Sequence, residues 1–316
     1  MEFERIKQAI GAAQNITLIA HLQPDGDTLG SCFALKEMLC DMGKDVAVCC
    51  DGDMTSRYAA LFSPHTLLAP QSAPENIDLA VAVDCADSVR LGKCHKLFKR
   101  AKTTANIDHH STNDHYAQIN YVTDASSVGE IIFEFMRDLD MTPNENMAKF
   151  LYTAMSTDTG NFTYSNTSKK VLLYTSELVE LFDLRGTADI LFRQRSLLST
   201  QLMGRALSRM ELFKDGRIAC LTLLDSDMKE FGAGSADCEN IVEVAREIEE
   251  TQVAVLFREL PAGVKISFRS KGSADVGALA ALYGGGGHAA ASGCVTGGKL
   301  DEVKKSVLDK LTEMVD

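Results

Sequence analysis

No stretch of this chain is long and apolar enough to cross a bilayer. That would take roughly 18 uninterrupted residues, and the apolar runs here are short. The N-terminus, MEFERIKQAIGAAQN, lacks the basic start, apolar stretch and small-residue cleavage site of a secretory signal, and reads as a surface helix. The expectation is a cytoplasmic protein with no membrane association. Patterned cysteine is missing as well. The nine cysteines are scattered, none belongs to a Cys-x-x-Cys pair, and Cys32, Cys85 and Cys220 sit among aliphatic residues. This argues against a disulfide framework or a thiolate zinc site, and for reduced thiols serving as small hydrophobes. Positive charge is also scarce, and the net charge is −12. Proteins that grip long nucleic acids by their phosphates are usually basic. A long-polymer binder is therefore disfavoured. A short nucleotide substrate stays open, because bound metal ions can supply positive charge locally.

The chain does have room for two domains in its 316 residues. The first half alternates short apolar strands with amphipathic helices. Strands are predicted at 15–20, 45–50, 79–83 and 103–107, and helices at 28–42, 128–139, 144–156 and 168–182. Asp27 is placed to cap the helix at 28–42, and Thr142 to cap the one that follows Pro143. Such alternation predicts an α/β fold with a mostly parallel sheet flanked by helices. A helical stretch over 188–213 then leads to a smaller α/β domain with a mixed sheet. Its strands are predicted at 217–224, 252–260 and 264–269, its helices at 238–250 and 275–283, with a glycine run, a short strand at 293–296 and a final helix. Pro261-Ala262-Gly263 reads as a hairpin turn. The expected division is 1–185, a helical linker at 186–199, and 200–316.

Four clusters of metal-type residues follow strands or a helix end: His21 with Asp25 and Asp27, Asp84, Asp108-His109-His110, and Asp158. Ligands of open parallel sheets bind at the carboxyl ends of strands, where three of these clusters would converge. Carboxylates gathered in one crevice repel each other unless cations fill it. Mixed carboxylate and imidazole donors suit Mn²⁺, Fe²⁺ or Zn²⁺ better than Ca²⁺. Taken singly, Asp84 reads as well as a turn residue and Asp27 as a helix cap. His65, His95 and His115 are taken as exposed and carry no role. By composition the run Gly284–Gly287 reads as a flexible linker, and its place before His288 and a small, apolar strand allows backbone that approaches a phosphate closely. Arg269 reads as a surface charge or as a bidentate phosphate ligand.

The conjunction resembles the DHH phosphoesterase family. Its motif H-x-x-P-D-x-D-x-x-G-S is present as His21-Leu-Gln-Pro24-Asp25-Gly-Asp27-Thr-Leu-Gly30-Ser31. The namesake triplet is Asp108-His109-His110, and further motifs match at Asp84 and at Asp158-Thr159-Gly160-Asn-Phe162. The second half is similar to the DHH-associated domain, through Gly285-Gly286-Gly287-His288-Ala-Ala-Ala291-Ser-Gly293 and the preceding Ser267-Phe-Arg269-Ser270. Within the family the resemblance is to the nanoRNase and pAp phosphatase type.

The resemblance implies two divalent ions, Mn²⁺ ahead of Mg²⁺, Zn²⁺ and Fe²⁺. One would be held by His21, Asp25 and Asp84, the other by Asp27, His109, Asp158 and the shared Asp84. Asp108 would orient a histidine and His110 would face the substrate phosphate. Ser270, the glycines at 285–287, Arg269 and His288 would bind substrate. No serine nucleophile is needed, so Ser31, Ser126 and Ser127 are not candidates. The implied reaction is hydrolysis of very short oligoribonucleotides or dinucleotides to 5′-mononucleotides, with 3′-phosphate removal from pAp as a second activity. The rivals are an inorganic pyrophosphatase or exopolyphosphatase, and a non-catalytic nucleotide sensor. A homodimer is compatible with the sequence.

Overall fold

The computed structural model of the chain describes residues 2–272 and 274–315, and of His288 the backbone alone. It separates into two units, Met1–Gln194 and Arg195–Asp316. In the first, helix α1 (Glu2–Ala12) precedes five strands: β1 (Asn15–Ala20), β2 (Asp45–Cys49), β3 (Leu79–Val83), β4 (Thr103–Asp108) and β5 (Ile119–Val122). They form one sheet in the order β2-β1-β3-β4-β5, every pair parallel. Helices cover both faces, which is why β3 reads Leu-Ala-Val-Ala-Val and is buried at every position. The covering helices are α2 (Gly26–Asp41), α3 (Ser56–Phe62), α4 (His95–Arg100), α5 (Val128–Asp138), α6 (Glu145–Asp158), α7 (Lys169–Leu178) and α8 (Leu184–Ala188).

Strand order reverses between β1 and β3. From β1 the chain passes outward to β2, then returns to β3 on the other side. Such a switch point opens a crevice beyond the carboxyl ends of the two strands. His21 directly follows β1, Asp84 directly follows β3, and Asp108 ends β4. On one face α2, α5 and α6 pack together, and two glycines set how closely. A Cβ at Gly30 would lie 2.4 Å from the Phe150 carbonyl oxygen of α6, and one at Gly129 would lie 2.4 Å from the Ala154 Cβ.

The second unit contains α9 (Leu197–Ser208), β6 (Glu211–Phe213), β7 (Ile218–Leu223), α10 (Asp225–Phe231), α11 (Ile241–Arg246), β8 (Val253–Leu260), β9 (Gly263–Ser270), α12 (Val276–Ala281), β10 (Gly286–His288), β11 (Ala291–Thr296) and α13 (Leu300–Met314). Its sheet runs β10-β11-β9-β8-β7-β6 and is mixed, with β7 and β8 parallel and the other pairs antiparallel. Leu260 pairs with Gly263 across the Pro261-Ala262 turn. Val255, Phe257, Ile266 and Phe268 pack with α12 and α13 residues on one face, and Ala254 and Leu256 with α9 and α11 residues on the other.

Several local expectations change. The stretch 188–213 is not one helix. A π-helical turn, Asp189–Arg193, follows α8, and the chain then extends at Gln194 before α9. The Ser196 hydroxyl accepts from the Ser199 amide at 2.9 Å and starts a new helix instead of continuing the old one. The residues Glu211–Phe213 pair as an edge strand. The helix expected at 238–250 is confined to α11. The cap of α6 is Asn144, not Thr142, through the Met147 amide at 2.9 Å. Among the described residues no helix is long and apolar enough to cross a membrane.

Candidate metal centre

The loop after β1 and the first turn of α2 supply three of the candidate ligands. Asp25, not Asp27, is the N-cap of α2. Its Oδ1 accepts from the Asp27 and Thr28 amides, each at 3.1 Å. That leaves Oδ2 turned towards His21, 3.6 Å from Nε2. Asp27 lies inside the helix and serves another one. Its Oδ2 accepts from the Val128 amide at 2.8 Å and its Oδ1 from the Gly129 amide at 3.0 Å, both at the exposed-donor end of α5. The Ser31 hydroxyl donates to Oδ1 at 2.9 Å. Thr28 Oγ1 donates to the Val83 carbonyl at 2.9 Å and ties α2 to the end of β3. The spacing of the first motif thus has a local reason at each polar position.

Asp84 sits at the centre. It is buried, with a left-handed φ of 60° that turns the chain sharply after β3. His21 Nε2 is 3.4 Å from Asp84 Oδ2, and His109 Nε2 is 3.6 Å from Asp84 Oδ1. His109 Nε2 also faces Asp158 Oδ2 at 3.7 Å and Asp27 Oδ2 at 3.9 Å. Asp158 ends α6, and its carbonyl accepts from Asn166 Nδ2 at 3.1 Å. Two triads, His21-Asp25-Asp84 and Asp27-His109-Asp158, each bring one donor atom per residue within 4.8 Å of the others.

Both histidines are oriented by the backbone. His21 Nδ1 bonds the Leu22 carbonyl at 2.7 Å, and His109 Nδ1 bonds the Ala125 carbonyl at 3.1 Å. A ring nitrogen that bonds a carbonyl must carry the proton, so in a neutral ring Nε2 presents a lone pair. In that neutral form the lone pair would face carboxylate oxygens, which are also acceptors. His21 Nε2 and Asp84 Oδ1 are buried without a hydrogen-bond partner. Acceptors facing acceptors in a buried crevice are the arrangement a cation relieves, and oxygen with imidazole donors is what a first-row divalent ion takes.

The titration behaviour has the same cause. Burial, then Asp84, Asp158 and Asp25, push Asp27 well above the ordinary carboxyl range. Burial, with Asp84 and Asp25 outweighing the attraction of His109, pushes Asp158 up to about 7. Burial opposes charge on His21, yet Asp25 and Asp84 outweigh it and push the imidazole up to about 10. In the absence of cations the cluster holds protons.

Asp108 is differently placed. Its Oδ1 accepts from His110 Nδ1 at 2.7 Å and from the His109 amide at 2.9 Å, and its Oδ2 from Asn113 Nδ2 at 2.6 Å. Both oxygens accept hydrogen bonds, and Asp108 also belongs to a third group, with Asp84, His109 and His110, that brings one donor atom per residue within 4.8 Å. His110 Nδ1 is also 3.6 Å from Asp84 Oδ1. Burial opposes charge on His110, and Asp108 and Asp84 raise it. Asn113 and the α5 amides escaped the sequence reading. Asn113 lies in a loop with no periodicity to mark it, and backbone donors leave no residue signature. His65 is part-buried, not exposed, with Nε2 at 2.8 Å from Glu37 Oε1.

The remaining candidates lie in the second unit. Arg269 pairs with Glu243 of α11, and its Nη1 bonds the Phe268 carbonyl at 2.9 Å. Ser270 points to the opposite face of β9 and is buried. The glycine run is ordered backbone. Gly286 pairs with Gly293, Gly287 with Ser292 and His288 with Ala291, and Ala291 in turn pairs with Arg269. A Cβ at Gly285 would lie 2.2 Å from the Gly293 carbonyl oxygen, and Gly287 has a φ of 137°. Glycine is required there by close strand packing. The side chain of His288 lies outside what the structure describes.

Comparison with known proteins gives the following. Residues 15–155 match the DHH family, N-terminal domain, and residues 215–315 match the DHHA1 domain. The chain is 30% identical over 299 residues to the probable bifunctional oligoribonuclease and PAP phosphatase NrnA of Streptococcus mutans, covering 92% of each chain. It is 29% identical over 305 residues to the bifunctional oligoribonuclease and PAP phosphatase NrnA of Thermus thermophilus, covering 94% of this chain and 89% of that one. The crystal structure of an exopolyphosphatase-related protein from Bacteroides fragilis superposes with a TM-score of 0.93 at 25% identity, over 99% of this chain and 95% of that one.

Proposed function

The chain belongs to the DHH phosphoesterase family, and from that membership we propose that it is a metal-dependent hydrolase of phosphodiester bonds in very short oligoribonucleotides. It would release 5′-mononucleotides and also remove the 3′-phosphate of pAp. Relatives named as oligoribonuclease and PAP phosphatase over nine-tenths of the chain support this substrate class. Its acidic surface suits short substrates better than long ones. The observation that carries the reading is the pair of histidines whose Nε2 atoms are turned by backbone carbonyls into carboxylates around Asp84, itself left with an unsatisfied buried oxygen.

His21, Asp25 and Asp84 would hold one divalent ion, and Asp27, His109, Asp158 and Asp84 a second. Such ions supply the charge that neutralises phosphoryl oxygens and the acidity that makes water a nucleophile at neutral pH. The donor set favours Mn²⁺ over Mg²⁺. The protein's own contribution is orientation and charge. Asp84, fixed by its turn, offers one oxygen to each triad. Asp108 holds His110 by Nδ1 and so orients the ring, which would meet a substrate oxygen as a donor. Arg269, Ser270, Gly285, Gly286, Gly287 and His288 in the second unit would be the residues that bind substrate.

The test is turnover with Mn²⁺ on a dinucleotide, a pentamer, pAp and pyrophosphate side by side. Mononucleotide release from the short RNAs is the expected result. Hydrolysis of pyrophosphate alone would keep the centre and overturn the substrate.

A further inference from the structure

The donors of the triad Asp27-His109-Asp158 come from elements far apart in the chain. Asp27 lies in α2, His109 follows β4 and Asp158 ends α6. One segment that supplies no donor to either triad, residues 125–130, is tied to all three. The Ala125 carbonyl holds His109 Nδ1 at 3.1 Å. The Val128 and Gly129 amides hold the two Asp27 oxygens at 2.8 and 3.0 Å. Asp158 is reached from Ser126 through the side chain of Asn166. Asn166 Nδ2 donates to the Ser126 carbonyl and to the Asp158 carbonyl, each at 3.1 Å.

The two ends of this link differ in how firmly they are held. Glu130 is 1% exposed, and its Oε2 accepts from the Ser126 amide at 3.0 Å and from the Ser126 hydroxyl at 2.5 Å. Its Oε1 meets Lys170 Nζ at 2.7 Å. A buried carboxylate that is both bonded and paired is fixed in place, and it fixes Ser126 with it. The Asp158 carbonyl belongs to the last turn of α6, where carbonyls have no partner within the helix. Asn166 supplies that partner. An asparagine in a loop ordinarily bonds backbone close to itself. Asn166 instead joins residues 40 and 8 positions away. Both partners are acceptors, so the atom between them is the amide nitrogen, because the side-chain oxygen there would be repelled by both.

We propose that Asn166 is a positioning residue for the ion of the Asp27-His109-Asp158 triad. It sets the separation between the loop that orients His109 and the helix end that carries Asp158. The proposal rests on the two-ion reading above. The backbone groups that Asn166 joins carry no residue of the other triad, His21-Asp25-Asp84. The ion of that triad is therefore held as before when Asn166 is lost. Groups that orient ligands are worth about 10–100-fold in metal affinity.

The test is calorimetric titration of Mn²⁺ into the metal-free, full-length protein. The wild type should take up two ions per chain. Asn166→Ala should weaken one of them about 10–100-fold and leave the other unchanged. Asn166→Asp has the same shape and sets an oxygen against both carbonyls, so it should weaken the same ion at least as much. Asn166 is exposed, so neither replacement empties a core position. In a His109→Asn background the remaining ion is that of His21, Asp25 and Asp84, and adding Asn166→Ala should change nothing. Equal weakening of both ions would make Asn166 a general structural residue. Tighter binding by Asn166→Asp than by Asn166→Ala would mean that bulk matters and donation does not. Either result overturns the proposal, as do two unchanged ions in both variants. A wild type that binds fewer than two ions would instead overturn the two-ion reading, and the role of Asn166 with it.

Discussion

Gly30→Ala adds one methyl group where α2 meets the backbone of α6 at close range. The new Cβ would lie 2.4 Å from the Phe150 carbonyl oxygen and 3.0 Å from the Ala154 amide nitrogen. Both are backbone atoms, so no rotamer change makes room. Ordinary contact begins near 3.4 Å, and the helices must separate by about 1 Å. Overpacking of this kind costs about 1–3 kcal/mol. For a unit of 194 residues, at about 2–4 °C per kcal/mol, melting falls by roughly 2–12 °C. The same shift moves Asp27 on α2 against Asp158 at the end of α6, and a misplacement of about 1 Å can cost about 10²-fold in rate. The assays are a thermal melt and Mn²⁺-dependent turnover. Gly11→Ala is the control. Nothing lies within 4 Å of its added Cβ, and in helix α1 it should stabilise by about 0.4–1 kcal/mol. A Gly30→Ala protein that melts with the wild type and keeps full turnover would refute the argument that this approach sets the site.

Three further outcomes follow from the same geometry. Asp84→Asn keeps a residue tolerant of the left-handed turn while removing the shared charge. It should abolish metal-dependent turnover without lowering the melting temperature, and bound metal per chain, measured by elemental analysis, should fall. Asp108→Asn should cut turnover by about 10–100-fold while metal content stays near that of the wild type, because both Asp108 oxygens serve neighbours. Loss of all bound metal would show instead that Asp108 is a ligand. In the second unit, burial opposes the charge of Asp227, but Arg209, the Leu224 amide and Arg205 outweigh it and hold its carboxyl below the usual range. Those arginines are about a third exposed, and with that screening Asp227→Asn should cost about 1–3 kcal/mol at pH 7. A depressed carboxyl contributes stability above its unfolded pKa of about 4 and loses it as pH falls through the folded value. Denaturant melts should therefore show the gap closing below about pH 4, and a gap independent of pH would sink the linkage.

The folding code for the first unit is largely local. The apolar run at 79–83 and the short segments rich in Ile, Leu, Thr and Ala at 15–20 and 103–107 read as strands, and amphipathic stretches such as 28–42 as helices. That much implies a parallel sheet and a crevice at its carboxyl edge, so His21, Asp84 and the Asp108 triplet were legible as neighbours before any contact was known. Short edge elements were not legible. β5, β6 and β10 have four residues or fewer, and pairing, not periodicity, holds them. Nor was the break before α9, where one serine cap competes with many residues of good helix former.

The sequence by itself determined which residue types could bind a cation and the strand ends from which they project, because both depend on chemistry and on neighbours a few positions apart. Tertiary structure alone decided which oxygen does what. Asp25 divides its oxygens between a helix cap and His21, Asp27 spends both on the amides of a helix a hundred residues away, and Asp108 gives both away. The glycine run likewise read as a linker or a cradle until the facing strand showed its carbonyl oxygen 2.2 Å from where a Cβ would stand. These choices turn on distances between atoms remote in the chain, and only packing sets such distances.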